Sequence, residues 1–379
     1  MQNISLRRLI PLLVSATLIC CLLLTGCVSH QFEASGWDGL YLSDDTLFVC
    51  SNGRFLALDI SEQTVRDFTP LDKDSGSSSL FGCGGSSAPR LTCYSAPVIS
   101  GSLFYAATYI GDVFAIDTQT GAIKWSYETD HQIVGGPVVA EDAIIVASGD
   151  KIYKFDSITG TRLWEPVDTS GKIWGTPIVW QDTIFFGNLN HKIYSVDLES
   201  GDINWEKGFS GAFASTPLAV NDTLYIGSLD NKFYALNIND GSTKWEFETD
   251  NWVWTKAAYH QGTVFFGSFG GSVYAINAET GALDAGWGRP YQTETGDRIR
   301  AMPVIVDDVL VIGSQDDHVY GLDINDGTQS WATLRYEDDI MADPCVSGST
   351  VYFLDKDHYV HAINGESGSR LWSKLVEID

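Results

Sequence analysis

Large aromatic residues and arginines recur at one register in this chain. Three residues before a repeating proline position stand Tyr94, Val134, Trp174, Ala214, Trp254, Arg300 and Met341, with Gly36 at the same place in a degenerate first copy. Trp252 and Arg298 lie two residues earlier, on the same faces of an extended chain. Indole faces and guanidinium groups gathered at a funnel mouth suit recognition of a peptide or protein. Arg298 and Arg300 would also mark a local anion pocket, and Trp174, Trp252 and Trp254 would stack on glycans. The competing reading is that these side chains plug a tunnel and pair with Asp297 or Asp339. Covalent chemistry is harder to find. The chain has no G-x-S-x-G, no H-E-x-x-H and no P-loop. Its seven histidines are scattered, and His361 falls where sister units carry Tyr194, Tyr234, Tyr274 and Tyr320, which reads as packing. Asp307-Asp308 and Asp316-Asp317 fall in turns, where Asp has a structural task. No C-x-x-C spacing offers a metal site.

The elements that position this register repeat about every forty residues. Each copy ends in Asp or Asn, then Gly four residues on, then Trp four residues after that. The copies are Asp117…Gly121…Trp125, Asp156…Gly160…Trp164, Asp197…Gly201…Trp205, Asn237…Gly241…Trp245, Asp323…Gly327…Trp331 and Asn364…Gly368…Trp372. Asn277…Gly281 has Ala285 at the Trp position. Pro97, Pro137, Pro177, Pro217, Pro303 and Pro344 mark the starts of inner strands, and Ala257 stands in for proline in the sixth unit. Residues 36–68 form a degenerate first unit, with Gln63 for Gly and Asp67 for Trp. Each unit holds four short β-branched and aromatic runs, as in 216–220, 223–227, 232–236 and 243–247. Eight four-stranded meanders predict an all-β fold, an eight-bladed β-propeller of antiparallel blades spanning 36–379.

Ahead of the repeats, Arg7-Arg8 precede an apolar run from Leu9 to Leu24 and then Thr25-Gly26-Cys27. The run is short for a membrane span and fits an export signal. Small residues before a Cys resemble the bacterial lipobox. The expectation is a signal peptide at 1–26, acylation of Cys27 (the palmitate-type anchor) and a lipidated tether at 27–35. Export makes disulfides available to Cys50, Cys83, Cys93 and Cys345, which allow three connectivities. Cys83–Cys93 would tie down the Ser/Gly-rich insertion at 70–91, and Cys50–Cys345 would staple the ring where its ends meet. Without Arg7 and Arg8 the chain keeps 21 basic against 49 acidic residues, a net charge of about −28. Such a surface repels phosphate backbones and anionic lipid, so no nucleic acid is expected and membrane contact rests on the lipid.

The repeat around Tyr234-Ala235-Leu236-Asn237…Gly241…Trp245 resembles the pyrroloquinoline-quinone (PQQ) type propeller repeat, over residues 36–376. That family includes quinoprotein dehydrogenases, which the resemblance associates with adjacent disulfide-bonded cysteines, calcium ligands and a catalytic Asp. Here the adjacent pair Cys20-Cys21 leaves with the signal, so neither PQQ nor Ca²⁺ is expected as a cofactor. Lipobox and compact units look more like the lipoprotein propeller of the outer-membrane β-barrel assembly machinery. The resulting expectation is a monomeric, non-enzymatic, lipid-anchored scaffold for envelope proteins. It would sit on the periplasmic face of the outer membrane, or on the outer face of the cytoplasmic membrane in a cell lacking one. The alternatives are a PQQ-dependent periplasmic dehydrogenase and a glycan- or ligand-binding surface lipoprotein.

Overall fold

A computed structural model describes residues 39–376 apart from 52, 70–90, 334 and 337. The signal segment, Cys27, the tether, Gly36 and Cys83 lie outside the described residues, as does nearly all of the 70–91 insertion. Thirty-two strands and no helix occur among the described residues. They form eight four-stranded antiparallel sheets, each ordered in sequence from inner to outer strand. In blade 5 the strands are Leu218–Val220, Thr223–Gly227, Lys232–Asn237 and Thr243–Glu248.

The turn before each outer strand explains the Asp-to-Gly spacing. Asp117 Oδ1 accepts the N–H groups of Gln119 (3.1 Å) and Thr120 (2.9 Å). Gly121 closes the turn at φ +71°, a region that disfavours residues with a Cβ. Turn donors favour the ionised Asp117 carboxylate, which is held well below the usual range by the Thr120 N–H and then by Lys124.

Eight apolar clusters form the core, each lying between two neighbouring blades. Tyr105, Val113 and Trp125 of blade 2, for example, pack on Ile144, Tyr153 and Phe155 of blade 3. The recurrent indole ties these wedges together. In blades 2, 4 and 5 its N–H crosses to the carbonyl just after the next blade's turn Asp or Asn: Trp125 to Ser157 (2.7 Å), Trp205 to Ile238 (3.1 Å), Trp245 to Ala278 (3.0 Å). The buried Trp331 N–H of blade 7 makes no such bond among the described residues. Each crossing bond contributes about 1 kcal/mol.

Two copies depart from the sequence expectation. Blade 6 does carry the clamp, supplied by Trp287, which bonds Ile324 O at 2.9 Å from an irregular segment two residues beyond Ala285. In blade 1 the Trp position belongs to Arg66 rather than Asp67. The bulge that blades 2, 4, 5, 7 and 8 place between their third and outer strands is missing there, so Ala57 pairs with Arg66 as Ala115 pairs with Trp125. The Arg66 guanidinium donates to Thr118 O and to Gln119 O, reproducing the crossing bond with a cation.

The cysteine pairing also differs. Cys50 is bonded to Cys93, with Cα atoms 6.3 Å apart, and Cys345 is a free thiol. Strand alternation is the reason. Leu47 and Val49 face blade 8, so Phe48 and Cys50 face blade 2, where Cys93 lies. Cys345 does reach the junction of blades 8 and 1, where its thiol donates to Leu40 O at 3.4 Å. Burial pushes that thiol up to about 12.

Candidate binding mouth on the propeller axis

The connection from each outer strand to the next inner strand aims the register residues at the axis. Four residues before the proline position, Ile173, Phe213, Val253 and Ile299 are fully buried. Their N–H groups bond the carbonyls of Gly149, Asn188, Ser228 and Ser268 at 2.8–3.0 Å. With that residue pinned inward, the next one turns the other way. Tyr94, Val134, Trp174, Ala214, Trp254, Arg300 and Met341 accordingly all line one axial cavity of about 350 Å³.

Within it the aromatic groups are already organised. Trp174 and Trp254 stack at 5.6 Å between centroids although they belong to blades 4 and 6. The small, buried Ala214 of blade 5 leaves room for them to meet. Arg300 Cζ sits 4.9 Å over the Trp254 ring, and Phe269 stacks on the same indole at 5.6 Å. Trp252 and Arg298 are not cavity residues. Trp252 is 45 % exposed and leans on Phe269 at 6.2 Å, and Arg298 lies 5.5 Å over the same Phe269 ring. Tyr94 packs on Tyr109 at 4.7 Å, and Met341 Sδ accepts from Gln315 Nε2 at 2.9 Å. Of the carboxylates considered as arginine partners, Asp297 accepts from Thr295 (2.8 Å) and Asp339 from Gln315 (3.3 Å).

A second ring, one residue before the proline position, escaped the sequence reading. Gly136 N–H bonds Thr176 Oγ1 (2.8 Å), Thr176 N–H bonds Thr216 Oγ1 (3.2 Å), and Met302 N–H bonds Asp343 Oδ1 (2.6 Å). Blades 3, 4 and 7 thus each donate to the next blade around the axis, and Lys256 occupies that register in blade 6. The backbones are crowded here: a Cβ on Gly135 would lie 2.7 Å from Gly175 O. Applying the proline register two residues later along the chain would have revealed Thr176, Thr216, Lys256 and Asp343.

Charge in the cavity is balanced toward the positive. Lys256 and Arg300 line it with one carboxylate, Asp343. Asp343 is exposed to the cavity yet enclosed by the ring of blades, and that enclosure raises its pKa against the pull of the Met302 N–H, Lys256 and Arg300. Burial lowers Arg300 to about 10, opposed by Asp343. It stays cationic at neutral pH.

The family model described as outer membrane protein assembly factor BamB, of PQQ-type repeats, matches residues 62–174 and 170–374. This chain belongs to that family. BamB of Shewanella oneidensis is 24 % identical over 109 residues, which is 28 % of this chain and 27 % of the relative. The alignment therefore spans about a quarter of that relative's length. The crystal structure of BamB from Moraxella catarrhalis superposes with a TM-score of 0.62 at 19 % identity, covering 74 % of this chain and 84 % of the other. A europium-containing methanol dehydrogenase gives 0.65 at 13 % identity, covering 85 % and 81 %. Both likenesses concern the fold.

The quinone that gives the repeat its name is a flat tricarboxylate held with a divalent cation. Calcium takes six to eight oxygen ligands, with several carboxylates among them. Among the described lining residues Asp343 is the one carboxylate, its Oδ1 already bonded to Met302, and two cations face three ligand carboxylates. Trp254 already carries Trp174, Phe269 and Arg300. This donor set does not fit the quinone.

Proposed function

We propose that this chain is a lipid-anchored envelope scaffold whose axial mouth binds other envelope proteins without transforming them, β-barrel proteins under assembly in the outer membrane among them. The observation that carries the reading is the Trp174–Trp254–Arg300 stack, a preformed aromatic and cationic surface at the mouth of an otherwise acidic ring. Rigid aromatics with an arginine are the residues that dominate protein-recognition surfaces. Family membership supports the assembly context, and Cys27 supplies the anchor. The test is photo-crosslinking in intact cells from positions 94, 174 and 254, with position 158 on the opposite face as control, followed by identification of the adducts. Envelope proteins captured from the mouth but not from 158, and lost with Arg300→Ala, are expected. Equal capture from both faces would overturn it, as would stoichiometric quinone binding with dye-linked alcohol oxidation. A second reading, glycan capture, rests on the exposed Trp252; it expects retention on a glycan array that is lost with Trp252→Ala, and no retention of the parent protein would remove it.

A further inference from the structure

Blade 8 differs from blades 5, 6 and 7 at one pair of interior positions. Blades 5, 6 and 7 carry Ser228, Ser268 and Ser314 just after the second strand and Tyr234, Tyr274 and Tyr320 on the third. Tyr234 and Tyr320 each donate to a turn carboxylate, Asp230 at 2.8 Å and Asp316 at 2.7 Å. Blade 8 exchanges both members of the pair, placing Asp355 for the serine and His361 for the tyrosine. Asp355 is 1 % and His361 3 % exposed. His361 Nε2 lies 2.9 Å from Asp355 Oδ2, and its Nδ1 lies 2.7 Å from Ser373 Oγ. Ser373 is the cross-strand neighbour of His361 on the outer strand Arg370–Leu375, and it is exposed.

We propose that Ser373, His361 and Asp355 form a nucleophilic triad at the outer rim of blade 8 that hydrolyses carboxylic esters. The three roles are filled in order: an accessible hydroxyl, a base within hydrogen-bond reach, and a buried carboxylate that fixes the base. Asp355 is held in turn by the Tyr359 N–H at 2.8 Å. Tyr336 at 4.4 Å and Phe353 at 5.1 Å cover the imidazole and fix its plane. The Nε2–H donates to Asp355, which leaves Nδ1 to accept the serine proton.

As Ser373 Oγ bonds to the ester carbon, its proton passes to Nδ1. Breaking the carbon–oxygen bond releases the alcohol, which takes that proton. Water then attacks the acyl carbon, gives a proton to Nδ1, and Ser373 recovers it as the acyl–Oγ bond breaks. The sum is ester plus water to acid plus alcohol. A donor for the developing oxyanion is present in the backbone. Val376 N–H bonds His358 O, so by ladder alternation the Ser373–His361 pair lies between hydrogen bonds, and the Ser373 N–H points out of the open sheet edge. Leu375 shares the serine's face and Leu371 flanks it, 38 % and 52 % exposed, so an unbranched acyl chain fits the site.

This inference concerns the rim, away from the axial mouth, and stands or falls separately from the scaffold reading. The test treats the purified full chain in detergent with a fluorophosphonate probe and, separately, with p-nitrophenyl butyrate. Stoichiometric labelling mapped to Ser373 is expected, lost with Ser373→Ala. Asp355→Ser with His361→Tyr restores the arrangement of the sister blades and so keeps the fold. It is expected to slow both labelling and ester hydrolysis by about 10²–10⁴-fold. Absence of probe from Ser373, or labelling and hydrolysis unchanged in the Ser/Tyr double variant, overturns the proposal.

Discussion

The Cys50–Cys93 bridge can be tested against its alternatives with a calculated magnitude. It joins the second strand of blade 1 to the segment entering blade 2, across 43 residues of sequence. Closing a loop of that length removes unfolded-state entropy equivalent to about 4 kcal/mol at 25 °C. For a folded unit of roughly 300–350 residues the unfolding entropy is about 0.7 kcal/mol/K, so the melting temperature should fall by roughly 6 °C in Cys50→Ala with Cys93→Ala. Calorimetry of the oxidised protein and this variant measures the shift. A non-reducing digest must return the Cys50 and Cys93 peptides linked. Denaturation without reductant should release Cys345 as an alkylatable thiol. Before denaturation Cys345 should resist reagent at pH 8, since a thiol near 12 is thiolate in about one molecule in ten thousand. A Cys83–Cys93 peptide, or a melting shift under 1 °C, would refute the reasoning.

Two further predictions concern the wedges and the turns. Tyr105 and Trp125 both donate to Ser157 O, at 3.1 and 2.7 Å, so a Tyr105→Phe and Trp125→Phe double-mutant cycle in urea should be non-additive. Either change alone leaves the carbonyl one donor; both together orphan it, for an extra cost of about 1–2 kcal/mol, and additivity within about 0.3 kcal/mol would dismiss the shared clamp. Asp59, Asp117, Asp156 and Asp197 are lowered chiefly by backbone N–H groups of their own turns. Their stabilisation is present above the unfolded carboxylate value of about 3.9 and lost as pH falls below it. Replacing all four with Asn, the residue at 237, 277 and 364, should give a smaller drop in urea midpoint between pH 7 and pH 3 than the parent shows. An equal drop would exclude the turns as its source.

The blade count was legible because the turn punctuation and the proline register repeat independently and agree. The axial ring was legible for the same reason: a fixed distance from the proline is a fixed place in the blade. What failed to show depended on cross-strand or cross-blade position. Trp287 hid behind an irregular outer segment. Arg66 replaced Trp one residue early because a missing bulge shortens the count. The seam disulfide was expected from blade adjacency alone, whereas the parity of Leu47, Val49 and Cys50, plain in the sequence, sends Cys50 toward blade 2. Ser373 meets His361 only through antiparallel pairing across a bulged hairpin, so motif spacing could not bring them together.

Among the described residues each sheet is assembled from strands consecutive in sequence, the eighth from 345–375 alone. A ring built this way can grow one module at a time along the chain. Its final step is then a lateral joining of first and last modules, held by Leu40, Val49 and Leu58 against Tyr352, Leu354 and Val360, and by Ser51 with His358 at 2.7 Å. Among the described residues no disulfide crosses that junction, so opening the circle there would break packing and hydrogen bonds but no covalent bond.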